Sequence, residues 1–405
     1  MVKSDLCWAL QVMSGPLSGI RVIDFSHVLA GPACAYYLGL LGAEVIKVES
    51  PEKGDAMRHR GGTDAERSKH GMSTAYLTQA AGKSSVTIDL ECSEGCETMR
   101  SLLRSADVFV ENHRPETMKN LGFDEANTLI LNPRLIHCAI TGYGRGGEKE
   151  NAPAYDVNIQ AASGIMTLTG TDETGPLRTG APIMDYSVAL AAGFAISAAL
   201  FERDKTKKGT FIDVSMLETA YTLMSSTITD FLATGHEPRP RGNAANSRSP
   251  GAGSFPCREG ILSLGVNEEN QFKALAKGLG RVKWLTDLRF SERKQRTENI
   301  LALEKEIADA LLARTADEWE KYFISIGVPA AKVRTLSESL SQPHSEERAY
   351  LHKDIESDVI VPSLPFRIGQ KTAHIPSGTM PKLGADTQDI LFELNKASGD
   401  HKNKK

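Results

Sequence analysis

The sequence predicts an α/β protein whose larger part is an open, mostly parallel sheet with helices on both faces. Three observations carry that prediction. Strand-like and helix-like runs alternate over roughly the first 145 residues. A long apolar helix pattern follows from Asp185 to Arg203. The chain has 405 residues, 40% of them apolar, which is enough for two or three domains with cores of their own.

Taken in order, Ile20 to Phe25 reads as a buried strand, Ser26 to Pro32 as a loop, Ala33 to Gly42 as a short helix and Glu44 to Glu49 as a second strand. A third unit pairs a strand at Ser85–Leu90 with a helix at Ser93–Ser105, capped by Ser93 with Glu94 in its first turn. Strands recur at Val108–Glu111 and Leu135–Thr141. In the long helix, Val188, Leu190, Ala191, Phe194, Ala195, Ala198, Ala199 and Leu200 form the apolar face, and Asp185 stands at the N-cap. A strand at Thr210–Val214 and a helix from Ser215 to about Ala233 come next. The stretch PRPRGNAANSRSPGAG that follows has turn chemistry and no apolar period, and so reads as a functional loop at a domain boundary. A smaller unit fills about 254–330, with a strand at Ile261–Val266 and helices near 268–279 and 300–325. The last 70 or so residues return to short strands and end in a frayed polar tail, His401 to Lys405.

Forty-seven basic and 51 acidic residues give a net charge of −4, which excludes a nucleic-acid binder working through bulk charge. No apolar run is expected to reach the ~18 residues that cross a bilayer, and the chain reads as cytoplasmic without a membrane partner. Six cysteines without a Cys-x-x-Cys pair argue for reduced thiols, and neither cysteines nor histidines show metal-ligand spacing.

A Gly-x-Gly-x-x-Gly run at Gly142, Gly144 and Gly147 follows a strand, but the acidic, proline-broken Glu148–Pro153 cannot open the helix a dinucleotide needs. The first strand–helix turn is more informative, since small Ala30 and Gly31 let a ligand approach the backbone before a helix N-terminus. Asp185 supports two readings, a helix cap or a nucleophilic carboxylate.

The blocks LSGIRVIDFSHVLAGPACAYYLGLLGAEVIKVESPEKGDAMR, GKSSVTIDL, DVFVENHRPETMKNLGF, NPRLIHCAITGYG, PAYDVNIQAASG, GAPIMDY and KTKKGTFIDVSMLE resemble the class III coenzyme A transferases. That family includes formyl-CoA, carnitine and glutarate CoA-transferases and the α-methylacyl-CoA racemases. The resemblance is dense from about 17 to 235 and continuous to about 385. It implies a Rossmann-like large domain built from both chain ends, about 1–220 and 331–405. A linker and small α/β domain at 221–330 and an interlocked homodimer complete what it implies.

The resemblance also assigns roles. Asp185 becomes the nucleophile, and CoA lies along Leu29, Ala30, Ser50, Ile88, Asp89, Leu90, Asn112, His113, Arg114 and Tyr155. Ser50 and Asn120 stand where some members carry arginine, which leaves the phosphates to Arg58, Arg114 and Lys119. Pro250–Gly253 resembles the mobile glycine loop, with Gly251, Ala252 and Gly253 offering amides to developing oxyanions and Arg248 beside them. Asp185 is expected to be ionised at its helix N-terminus. No cofactor is implied, CoA being both substrate and covalent intermediate, and the partners are an acyl-CoA and a small carboxylic acid.

The racemases carry Gly-His-Asp where this chain reads Ala154-Tyr155-Asp156, and tyrosine is poorly matched to α-proton exchange at neutral pH. A non-catalytic CoA-binding subunit of a hetero-oligomer is the third reading. Arg178, Arg241 and Arg248 are available to a second carboxylate, which would favour succinate- or glutarate-like acids, or else are solvated loop residues.

Overall fold

The computed structural model describes residues 15–245, 247, 249–353, 359–369 and 380–402. The described residues form two compact units. Among the described residues, the larger draws on 15–165, 178–236 and those from 346 on, the smaller on 166–177 and those within 237–345. The expected small-domain segment 221–330 overlaps the second of these smaller-unit segments.

The larger unit is built on six strands: β1 (Arg21–Phe25), β2 (Glu44–Glu49), β3 (Ser84–Thr87), β4 (Val108–Glu111), β5 (Ile136–Thr141) and β6 (Thr210–Ser215). Their order is β3-β2-β1-β4-β5-β6 and every pairing is parallel. This is the Rossmann order, with its reversal between β1 and β4. Alternation along each strand feeds both faces. Val22, Val45, Val108, Val110 and Ile136 join one core with the helices Ala30–Leu40 and Ile183–Thr206. Ile23, Ile46, Val86 and Phe109 join another with the helix Ser93–Ser105 and with Ile390 of the helix Thr387–Lys402.

Several local expectations shift. The first helix begins at Ala30, three residues early. β3 ends at Thr87, and Cys92, not Ser93, caps the following helix, its sulfur accepting from the Gly95 amide. The helix expected over 215–233 breaks into Met216–Leu223 and Ser225–Thr234. The long helix buries Met184, Val188, Ala189, Ala192, Ile196 and Leu200 and leaves Leu190 and Phe194 exposed, so its core face is rotated from the expected one. It is also long and apolar enough, at a mean hydropathy of 1.6, to satisfy the length and composition of a membrane span, contrary to expectation. Its fully buried residues make it a core helix of this unit. The polar tail is partly helical, since the last helix runs to Lys402 and only 403–405 lie outside the described residues.

In the smaller unit, β7 (Ala252–Pro256), β8 (Ile261–Gly265) and β9 (Ala330–Lys332) form an antiparallel sheet. Phe272, Leu275, Trp284, Phe290, Ile307, Trp319 and Phe323 make its core. The helical pattern over 300–325 divides into Ile300–Leu311 and Ala316–Ser325. Five of the six cysteines are described, all as free thiols; Cys7 lies outside the described residues.

Candidate functional site

In a sheet of this order ligands bind outside the carboxyl ends of the strands, where the order reverses. The expected CoA contacts collect along that edge. Leu29 and Ala30 follow β1, Ser50 follows β2, Ile88, Asp89 and Leu90 follow β3, and Asn112, His113 and Arg114 follow β4. Ser50, Asp89, Arg114 and Lys119 are exposed, Leu29, Leu90, Asn112 and His113 half-buried, and Ile88 and Ala30 buried. Arg114 and Lys119 form no ion pair among the described residues, which leaves both charges available to phosphate.

Arg58 corrects the expectation of a third phosphate contact. It is 1% exposed, and its guanidinium is engaged on every side. Nε and one terminal nitrogen donate to the two oxygens of Glu49 at 2.7 Å each; that terminal nitrogen also reaches Tyr76 and Ser85, and the other reaches the Gly71 and Pro381 carbonyls. No donor remains for a ligand. Arg58→Ala would strand the Glu49 carboxylate, so we expect a stability loss of about 3–5 kcal/mol in denaturant melts, not a selective loss of CoA affinity.

Arg58 and Glu49 belong to a buried network of three acids and three bases, with Asp24, Asp55, Lys47 and Lys83. Burial pushes the Asp24 carboxyl up, but Lys47 and Lys83 beside it outweigh that and hold it below its usual range. The network fastens the loop after β1 from beneath. Lys47 Nζ donates to the Ser26 carbonyl at 2.8 Å, the Val28 amide donates to Asp55 at 3.2 Å, and Lys83 donates to the Pro32 carbonyl at 2.8 Å. From β4, Asn112 accepts from the His27 amide at 2.9 Å and donates to its carbonyl at 2.8 Å.

Within this loop Val28 has φ of +67°, a left-handed conformation that costs a β-branched residue about 1–2 kcal/mol. Gly31 has a structural reason. A Cβ there would lie 2.4 Å from Cβ of Ser26, so its small size serves the turn's own packing instead of a ligand. His113 packs its ring, tilted, against Phe25 with centroids 4.3 Å apart and against His27 at 4.9 Å. Burial, with His27 beside it, pushes the His113 imidazole down to about 4. At neutral pH it therefore offers a flat uncharged ring, not a cation for phosphate.

Asp185 is not the N-cap. The helix starts at Ile183 after Pro182, and the amides of Met184 and Asp185 donate to Asp156 at 2.7 and 3.3 Å. Asp156 is fixed in turn by Gln160, whose amide donates to it at 2.6 Å and accepts from the Thr179 amide at 2.9 Å. The half-buried Asp185 carboxylate meets no hydrogen-bond donor among the described residues. Burial, with Asp156 second, pushes it up to about 7, so the expectation of full ionisation at neutral pH does not hold for the unliganded protein. The neighbouring Met184 packs in the same apolar cluster as Ala30 and Ala33, and Gln79 donates to the Tyr186 hydroxyl at 3.2 Å. Asp185 is thereby tied to the helix that leaves the β1 loop.

Tyr155 precedes the helix Asp156–Ala162 and is 66% exposed. The glycine-loop expectation changes. Gly251 is buried against Val266, Leu275 and Ile307, Ala252 is buried too, and Ala252 and Gly253 pair in β7 with Gly265 and Leu264. The Ala252 amide is already donated to the Ser249 carbonyl at 3.0 Å. Arg248 lies outside the described residues. Arg178 is exposed and donates to the Thr179 carbonyl at 2.9 Å. Among the described residues no group of three or more His, Cys, Asp or Glu side chains suits a metal ion.

The parallel sheet of Rossmann order, with its clamped first loop and the Asp156–Asp185 pair at a helix start, makes this an α/β protein with a ligand edge at the carboxyl ends of its strands. Residues 17–387 match CoA-transferase family III, and the chain belongs to that family. It is 32% identical over 390 residues to the succinate–glutarate CoA-transferase of Agrobacterium fabrum, covering 94% of this chain and 96% of that one. It is equally 32% identical over 390 residues to the succinyl-CoA–D-citramalate CoA-transferase of Chloroflexus aurantiacus, covering 94% of each. A solved CaiB/BaiF family protein from Brucella suis superposes with a TM-score of 0.83 at 30% identity, over 94% of this chain and 99% of that one.

Proposed function

We propose that the protein transfers coenzyme A from an acyl-CoA to a free carboxylic acid, with Asp185 as the nucleophile. The observation that carries this reading is the Asp185 carboxylate, which meets no donor among the described residues, Asp156 taking the helix-end amides in its place. An Asp185 oxygen attacks the thioester carbonyl, the C–S bond breaks, and a mixed aspartyl–acyl anhydride and CoA thiolate result. The thiolate then attacks the aspartyl carbonyl and expels the donor carboxylate, leaving an aspartyl-CoA thioester. An acceptor carboxylate attacks that thioester, releasing the thiolate, which takes the new acyl group from the anhydride and regenerates Asp185. Each step exchanges one carbonyl substituent for another and needs no oxidant, reductant or metal.

Succinate- and glutarate-like dicarboxylates are the proposed acids, by analogy with the relatives named above. The exposed Tyr155 supports a role beside the acyl group. Leu190, Phe194 and Phe201 form an exposed apolar row at helical spacing, Phe194 being 79% accessible, and we assign it to contact with a second copy of the chain in a homodimer.

The first half-reaction needs no acceptor, so incubation with succinyl-CoA alone is expected to leave CoA covalently attached to the protein. Intact-protein mass spectrometry reads the adduct, and borohydride reduction followed by peptide mapping places it. Attachment at a cysteine such as Cys34 would defeat the assignment.

A further inference from the structure

We propose that the buried Lys47–Asp55 pair is a positioning device that holds Val28 left-handed and so sets how the Leu29–Ala30 backbone faces an acyl-CoA. The proposal rests on the CoA-transfer reading and adds two residues to it that touch no substrate.

Asp55 divides its two oxygens between two tasks. Oδ1 accepts from the amides of Val28 at 3.2 Å and Met57 at 2.9 Å, while Oδ2 pairs with Lys47 Nζ at 3.1 Å. Lys47 then donates to the Ser26 carbonyl. One ion pair, buried at both ends, therefore grips residues 26 and 28 of the same loop, and residue 27 is gripped separately by Asn112. The turn at Val28 comes two residues before the first helical residue, Ala30, and Leu29 between them is non-helical at φ −137° and ψ −59°. The direction of the Leu29 and Ala30 amides thus depends on Val28 keeping its positive φ.

A positive φ at valine persists only where the surroundings over-determine it, and glycine or asparagine would satisfy the same turn without strain. Val28, Lys47 and Asp55 also lie together against Pro32, Tyr76, Gln79 and Ala80.

The test is a double-mutant cycle. An asparagine at 55 presents one acceptor and one donor face, so it satisfies either the two amides or Lys47 but not both. Asp55→Asn is expected to weaken acyl-CoA binding by calorimetry, and to lower kcat/KM for acyl-CoA, by about tenfold, with KM for the free acid unchanged. Adding Val28→Gly removes the cost of the left-handed backbone and is expected to recover most of that loss. Simple additivity of the two substitutions, with the loss tracking the melting temperature, would make the pair a stability element only and overturn the proposal.

Val28→Pro keeps the buried pair intact but locks φ near −65° and removes the amide, so it should lose affinity as Asp55→Asn does even if the latter fails to fold. Wild-type binding by Val28→Pro would also overturn the proposal. Failure of the wild type to transfer CoA while binding it, with the cycle still coupled, would refute the transferase reading and leave the positioning role standing.

Discussion

Asp185→Ala is expected to reduce CoA transfer by at least about 10⁴-fold, with calorimetric CoA affinity within a few-fold of the wild type. Both halves follow from where the groups sit. The substitution removes the only atom proposed to form a bond with the acyl group. All the expected CoA contacts but Tyr155 stay in place, because they follow β1 to β4 on segments separate from the Asp185 helix. Met184, Val188 and Ala189 anchor that helix in the core and are untouched. Retention of more than a tenth of the activity would remove Asp185 from the reaction.

The second large effect is on pH. Only the ionised carboxylate attacks, and Asp185 in the free enzyme is pushed up to about 7 by burial and then by Asp156. Log kcat/KM for acyl-CoA should climb with unit slope to about pH 7 and level off, so that at pH 5 it lies about 100-fold below the plateau. Stability moves in the opposite sense. A carboxyl whose folded value exceeds its unfolded one, near 3.8, makes the folded state bind more protons between those values. Its contribution therefore weakens as pH rises from about 4 to 7. Asp185→Asn removes that liability and should melt on the order of 2–4 °C higher than wild type at pH 8, with a smaller difference at pH 5. A profile flat from pH 5 to 8 would contradict the raised carboxyl.

The sheet was legible because its strands are apolar on both faces, as parallel strands covered by helices must be, and because turn residues separate them cleanly. Val108–Glu111 and Glu44–Glu49 match their expected bounds residue for residue. The buried network was less legible, although a signal was present. Asp24 and Lys47 each sit between apolar neighbours within their strands, and a charge at such a position has to find a partner inside. What no single segment could reveal was the pairing, since Asp24 meets Lys83 across 59 residues and Arg58 meets Pro381 across 323. That distance in sequence is why Arg58 reads as a phosphate ligand until its neighbours are known. Asp185 misleads for a related reason. An acidic residue before an apolar helix is ordinarily its cap, but here Asp156, 28 residues from Met184, reaches the helix end first. Gly253 suggested a loop because its pairing in β7 with Leu264 depends on a partner strand, not on local composition.

The segment after residue 345 has a consequence for the order in which the molecule can be completed. β3 is an edge of the parallel sheet, and it is finished from the far side by late residues. The Ser85 amide donates to Asp386 at 2.7 Å, the Thr87 amide to Thr387 at 3.1 Å, and the Gly384 amide to Ser85 at 3.0 Å. Tyr36 likewise donates to the Pro362 carbonyl at 2.7 Å. On a translating ribosome the six strands emerge well before these partners do, and the whole smaller unit must be made in between. Until then β3 presents unpaired amides and Arg58 lacks one of its carbonyls, a template on which a second nascent chain can pair. The nascent protein thus passes through an interval in which most of its Rossmann sheet exists and its edge is still open.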